Sequence, residues 1–227
     1  MIHFMKLIER TRQFVKYRQF TVVKPFGHSH QSEQFLISLC DMSSEVTQAL
    51  DRYFHDIDAV EILQGDILDL SCDALVSPAN SFGDMGGGLD KAIDEFYERK
   101  AQKIVRTAIT EQFFGELPVG NALILKMNTK QFPFLIVAPT MRVPGNVQET
   151  INAYLAMRAV LVAIIHHNRL SENTIQSVAI PGFCSGVGGM SPQESAGQMR
   201  TAYDVIIGEG WKKIIHPALA PYAMKGK

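Results

Sequence analysis

Residues 73–93 read Asp-Ala-Leu-Val-Ser-Pro-Ala-Asn-Ser-Phe-Gly-Asp-Met-Gly-Gly-Gly-Leu-Asp-Lys-Ala-Ile, and no other stretch constrains the fold as tightly. The apolar start predicts a buried strand, and the polar, glycine-rich centre predicts a turn that opens a helix. Three adjacent glycines at a helix entrance leave backbone N–H groups unshielded by side chains. The helix N-terminus adds partial positive charge, so the place suits a phosphate. Asn80 precedes these glycines and Asp90 follows them. The run contains no Gly-x-Gly-x-x-Gly, and no Lys-Ser/Thr follows the glycines, which argues against an ordinary dinucleotide dehydrogenase and a nucleoside triphosphate motor.

Apolar runs on both sides extend the pattern. Strands are expected at residues 34–40, 60–63, 73–76, 121–127, 134–138 and 177–180, the fourth and fifth joined by a polar Asn128-Thr129-Lys130 turn. Helices are expected at 43–54 with Ser43 as cap, from 89 to about 108, over 147–166, and from the Ser191-Pro192-Gln193-Glu194 start, with residues 213–216 as the last element. Strands alternating with helices indicate an α/β sandwich whose largely parallel sheet is covered on both faces. Ligands of such sheets sit outside the carboxyl ends of the strands, where Asp66, Asn80 and Ser185 all fall.

Ser77-Pro78-Ala79-Asn80 followed by Gly86-Gly87-Gly88-Leu89-Asp90 resembles the first ligand loop of the macrodomain family, the ADP-ribose-binding modules. Two further marks stand at the family's distances: Gln64-Gly65-Asp66-Ile67 ahead of the loop, and Ile180-Pro181-Gly182-Phe183-Cys184-Ser185-Gly186-Val187-Gly188-Gly189 behind it. The resemblance covers residues 58–216. It implies a three-layer α/β/α fold with a mostly parallel mixed central sheet, occupying residues 34–227 behind an N-terminal extension of residues 1–33.

The resemblance also implies a site. Asp66 would accept a hydrogen bond from the adenine amine, with Ile67 beside it; a turn-capping Asp66 is the alternative. Gly86, Gly87, Gly88 and Leu89 would face Ser185, Gly186, Val187, Gly188 and Gly189 across a diphosphate, which backbone amides can hold without a lysine cluster. Asn80 and Asp90 match the pair that faces the distal ribose in hydrolytic macrodomains, where an amide holds a hydroxyl and a carboxylate orients or deprotonates a water. Asp90 would equally stabilise the N-terminus of its helix. Arg142 is placed to pair with a phosphate or to lie solvated in its loop.

Two positions depart from the family pattern. Ser77 replaces the first asparagine of the usual pair, and Gly188 stands where an aromatic residue often covers the distal ribose. A smaller lid implies a wetter or larger pocket there.

Composition sets the remaining bounds. Lys plus Arg number 22 against 23 Asp plus Glu, so no global field draws in nucleic acid or an anionic membrane. Nucleic acid is therefore expected only as a modified substrate. Three widely spaced cysteines, Cys40, Cys72 and Cys184, fit neither a disulfide framework nor a metal knuckle, and suit a reducing cytoplasm. No run approaches the ~20 apolar residues of a membrane span. His28 and His30 have no Cys or acidic cluster to complete a metal site. Cys184 has no identifiable histidine partner and reads as a small apolar residue. The expected function is binding of ADP-ribose and hydrolysis of a bond at its distal ribose, without metal or cofactor, on a modified macromolecule or metabolite. A non-catalytic ADP-ribose reader and an interaction scaffold with a degenerate cleft are the alternatives.

Overall fold

The computed structural model describes residues 15–16, 35–214 and 216–219. In chain order the elements are β1 (Val15–Lys16), β2 (Leu36–Asp41), α1 (Ser44–Phe54), β3 (Val60–Gln64), β4 (Ala74–Ser77), α2 (Gly88–Phe96), α3 (Ala101–Phe113), β5 (Leu123–Lys126), β6 (Phe134–Val137), α4 (Asn152–Leu170), β7 (Ser177–Ile180) and α5 (Pro192–Ile206). The sheet order is β1-β3-β2-β7-β4-β6-β5. The five inner strands run parallel, while β1 and β5 pair antiparallel at the two edges.

Strand alternation divides the core into two layers, because successive side chains point to opposite faces. Ile37, Leu39, Val76, Ile136, Val178 and Ile180 pack with Leu50 of α1, Val160 of α4 and Met199 of α5. Leu75, Leu135, Val137 and Ala179 turn the other way, onto Ile93 of α2 and Val105 and Ile109 of α3. The result is the expected three-layer α/β/α arrangement with a mixed, mostly parallel sheet. No described helix is long and apolar enough to cross a membrane. The N-terminal extension of residues 1–33, with His28 and His30, lies outside the described residues apart from Val15 and Lys16.

Three element boundaries differ from the sequence expectation. The helix expected over 89–108 is two helices, broken where Glu98 and Arg99 adopt left-handed φ values of 57° and 60°. Tyr97 anchors the break, donating its buried hydroxyl to the Phe132 carbonyl at 3.1 Å. Asp94 then accepts from the Gln102 N–H at 2.9 Å, so a carboxylate restarts the chain as α3. The helix expected over 147–166 begins only at Asn152 and runs to Leu170; ahead of it residues 147–150 form a turn, with the Val147 N–H bonded to the Gly188 carbonyl and the Thr150 N–H to the Val147 carbonyl. Lys213 ends a 3-10 turn, Gly210–Lys213, and residue 215 lies outside the described residues.

Restarting as α3 positions the glycine run. Gln102 Oε1 accepts from the Met85 N–H at 2.8 Å, and Arg106 donates to the Gly83 carbonyl at 3.3 Å and to Asp84 Oδ1 at 3.2 Å. Gly83 has φ +64°, and a β-carbon there would lie 2.8 Å from Val105 Cγ1. Only glycine fits between that loop and α3.

Candidate functional site

A cavity of about 540 Å³ crosses the carboxyl ends of β2, β7, β4 and β6, the side of the sheet where parallel α/β folds place ligands. Asn80, Gly86, Gly87, Gly88, Leu89 and Asp90 line it from the loop after β4, and Ser185, Gly186, Val187 and Gly188 from the loop after β7. Asp66, Ile67, Arg142 and Gly189 are not among its lining residues.

The loop after β4 is built around Asn80. Its Oδ1 accepts from the N–H groups of Phe82 (3.1 Å) and Asp84 (3.2 Å), while Nδ2 donates to the Asp84 carbonyl at 2.7 Å. One amide hydrogen remains for a ligand. Gly87 caps α2 with no side-chain hydrogen bond, and the N–H groups of Gly88, Leu89 and Asp90 find no acceptor among the described residues. Of the other helices that begin at this face, α1 and α5 are closed by serines, Ser43 accepting from Val46 N and Ser191 from Glu194 N, while at the start of α4 the Asn152 and Tyr154 N–H groups bond to Thr150 Oγ1 and Gln198 Oε1. No residue at the start of α4 lines the cavity, so the amides of α2 are the helix-start amides left there for an anion.

The loop after β7 is packed more tightly. A β-carbon on Gly182 would sit 2.5 Å from Val46 Cγ1, and one on Gly188 would sit 2.6 Å from the Cys184 carbonyl oxygen and 2.8 Å from Val147 Cγ2. Gly188 is therefore required by packing, and no aromatic lid can grow from that position without moving the backbone. Gln148 Nε2 donates to the Gly189 carbonyl at 2.6 Å, which ties Gly189 to the preceding segment outside the cavity. The N–H groups of Ser185, Gly186 and Val187 are bonded to nothing among the described residues. Cys184 takes φ 60° and is buried, and burial pushes its thiol up to about 12. It is protonated at neutral pH and is no nucleophile there.

Asp90 is the chemically distinctive group. Its Oδ1 accepts from Ser77 Oγ at 2.6 Å. Enclosure of the carboxyl group raises its pKa to about 6; Ser77 draws it down and the nearby charge of Asp84 pushes it up. A folded-state value above the ordinary 3.8 means a contribution to stability that is complete below pH 4 and lost as pH rises through 6. The gap is worth on the order of 3 kcal/mol. Asp90→Asn should therefore stabilise the fold by roughly that amount at pH 8 and leave it unchanged at pH 4. Urea unfolding at the two pH values checks this, and equal stability of the two proteins at pH 8 would contradict it.

Several expected contacts are placed differently. The Arg142 guanidinium forks onto Glu116 at 2.7 and 3.0 Å and lies over the Phe82 ring, so its charge is engaged away from the cavity. Asp66 caps the 3-10 turn Ile67–Asp69 by accepting from Leu68 N at 3.0 Å, and the Ile67 side chain is buried in the core, which leaves it only its backbone for a ligand. Between β3 and the cavity stands β2, whose last residue, Asp41, does line the cavity. Burial raises the Asp41 carboxyl, while bonds from Ser43, Gly182 and Met42 N–H groups draw it down. Asp41, Ser43, Glu45, Thr140 and Met141 also line the cavity, although the sequence marked none of them as a ligand-binding residue. The strand-end rule applied to residues 34–40 would have found Asp41.

Among the described residues that line the cavity are four carboxylates, those of Asp41, Glu45, Asp84 and Asp90, and no Lys, Arg or His. The donors these residues offer an anion are backbone N–H groups and neutral side chains such as Asn80.

Comparison with known proteins places these features in a family. The Macro domain model matches residues 76–199, which contain both loops. An uncharacterized protein of Aeropyrum pernix is 32% identical over 165 residues, 73% of this chain and 81% of that protein. The Oceanobacillus iheyensis macrodomain with ADP superposes with TM-score 0.55 at 22% identity, covering 66% of this chain and 76% of that one. Thermosipho africanus DarTG in complex with ADP-ribose superposes with TM-score 0.51 at 16% identity, over 73% of this chain and 50% of that one. At these identities the structural likeness is one of fold.

Proposed function

Because the chain belongs to the macro domain family, we propose that it binds ADP-ribose in this cleft and hydrolyses a bond at the distal ribose. The observation that carries the reading is the facing of two sets of unclaimed amides, Gly88 to Asp90 and Ser185 to Val187, across a cavity that also holds the Asp90 carboxylate. The diphosphate lies between the two loops. Its distal ribose lies towards Asn80 and Asp90, and its adenosine lies towards the β2 side. There the base runs past Asp41 to Asp66, an exposed carboxylate with one oxygen bonded to Leu68 N. The structures of folds of this kind with ADP and with ADP-ribose support that ligand.

In hydrolysis, a water oxygen forms a bond to the carbon under attack, the anomeric carbon of a glycosidic link or the acyl carbon of an ester on the ribose, and gives its proton to Asp90. The bond to the leaving atom breaks, and the leaving group departs with the electron pair and takes up a proton. A base that titrates at about 6 is ionised at neutral pH and still proton-hungry enough to serve. The test is turnover of ADP-ribosylated protein, ADP-ribosylated nucleic acid and O-acetyl-ADP-ribose, followed by release of ADP-ribose. Release from any one of them supports hydrolysis. Tight ADP-ribose binding with no release from all three assigns the chain to the readers.

Binding and turnover should respond to pH in opposite senses. A diphosphate beside Asp90 disfavours its charged form, so binding takes up protons around pH 6 to 7 and affinity rises as pH falls, up to about tenfold between pH 8 and 5.5. Turnover, which needs the carboxylate, falls over the same range. Calorimetric titrations at three pH values check the binding limb. In Asp90→Asn that dependence should flatten, and a wild type with pH-independent affinity would contradict the linkage.

A further inference from the structure

Ser77 ends β4 with its side chain 1% exposed. Its backbone is fixed in the sheet, in register with Val137 and with its carbonyl accepting from Ala138 N at 3.0 Å. The hydroxyl donates across 2.6 Å to Asp90 Oδ1 on the first turn of α2, and so joins the end of the strand to the start of the helix over the glycine run. Among the described residues Asp90 Oδ2 has no hydrogen-bond partner.

We propose that Ser77 is the positioning residue of this cleft: its hydroxyl clamps the Asp90 carboxyl group to the rigid end of β4 and leaves Oδ2 as the oxygen open to a ribose hydroxyl or a water. This rests on the reading of Asp90 as the base. A primary hydroxyl suits the task, because it donates to a carboxylate and, by rotating, accepts from a carboxylic acid. The clamp therefore survives arrival of the proton. Alanine at this position removes the donor and leaves the fixed backbone in place. The carboxylates facing Asp90 across the cavity are Asp41, Glu45 and Asp84; Asp84, in the loop after β4, acts on it in the opposite sense to Ser77, raising proton affinity where the Ser77 hydroxyl lowers it.

The experiment follows the carboxyl carbon of Asp90 by NMR in protein labelled with ¹³C-aspartate, the resonance being assigned by its loss in Asp90→Asn. Wild type should titrate near pH 6. Ser77→Ala should titrate about 1 to 2 pH units higher, the loss expected for one hydrogen bond to a charged acceptor. Ser77→Thr, which keeps the hydroxyl, should restore most of the difference. The acid limb of kcat should move by the same amount as the resonance, since a purely structural role for Ser77 would change neither midpoint. An Asp90 resonance that titrates alike in wild type and Ser77→Ala overturns the proposal. If Ser77→Ala does not fold, Ser77→Cys, with a weaker donor of similar shape, should give an intermediate midpoint, and a wild-type midpoint there is equally contrary. Turnover failing in wild type while the resonance moves as stated would remove hydrolysis from the account and leave the Ser77–Asp90 clamp standing.

Discussion

Asp90→Asn should lower hydrolysis by about 10²- to 10⁴-fold, the range associated with a positioned proton acceptor, while ADP-ribose binding at pH 7 is kept or tightened. The two effects separate because the amide fills the same space and accepts the same bond from Ser77 Oγ, but takes no proton from water. The anionic ligand loses a like charge from its surroundings, so the ground state is favoured where the transition state is not. Single-turnover rates with a saturating ADP-ribosylated substrate, beside a titration with ADP-ribose, read both quantities. A variant as fast as wild type would remove Asp90 from the chemistry and leave the binding site in place.

Gly186→Glu should abolish binding without harming the fold. Nothing lies within 4 Å of a β-carbon built on Gly186, and its φ is not in the left-handed region, so the backbone accepts a side chain. A carboxylate placed about 5 Å from the diphosphate costs about 3 kcal/mol at an effective dielectric of 20, a hundredfold or more in affinity. Gly188→Val makes the control. Its β-carbon would meet the Cys184 carbonyl at 2.6 Å, so that variant should lose stability first and binding as a consequence. Thermal unfolding alongside calorimetry distinguishes the two. Wild-type affinity in a folded Gly186→Glu protein would place the diphosphate elsewhere.

Much of this arrangement is legible in the residues themselves. The strands at 60–64, 74–77 and 177–180 announce themselves as short apolar runs ending in polar or glycine residues, and Ser43 and Ser191 mark two helix starts by side-chain chemistry that the structure repeats. What the residues do not announce is set by tertiary contacts. The break after Phe96 has no Gly or Pro to signal it, since Glu98 and Arg99 are held left-handed by the Tyr97 anchor and the Asp94 cap. Arg142 could not be told apart as a phosphate ligand because Glu116, which claims it, lies 26 residues away. Asp41 was hidden by order along the chain: β2 precedes β3 in sequence but lies between β3 and β7 in the sheet, and so brings its own end to the cleft. The Ser77 substitution reads from the sequence as a lost amide and from the structure as a gained bond to Asp90.

The most direct test of the central claim is a calorimetric titration of the wild-type protein with ADP-ribose at pH 7, beside AMP and NAD. The cleft described here should take up one ADP-ribose per chain with micromolar or tighter affinity and bind AMP more weakly, because AMP reaches only one end of the cavity and leaves the amides of Gly88 to Asp90 unpaired. No saturable heat with ADP-ribose, or AMP binding as tightly, would contradict it.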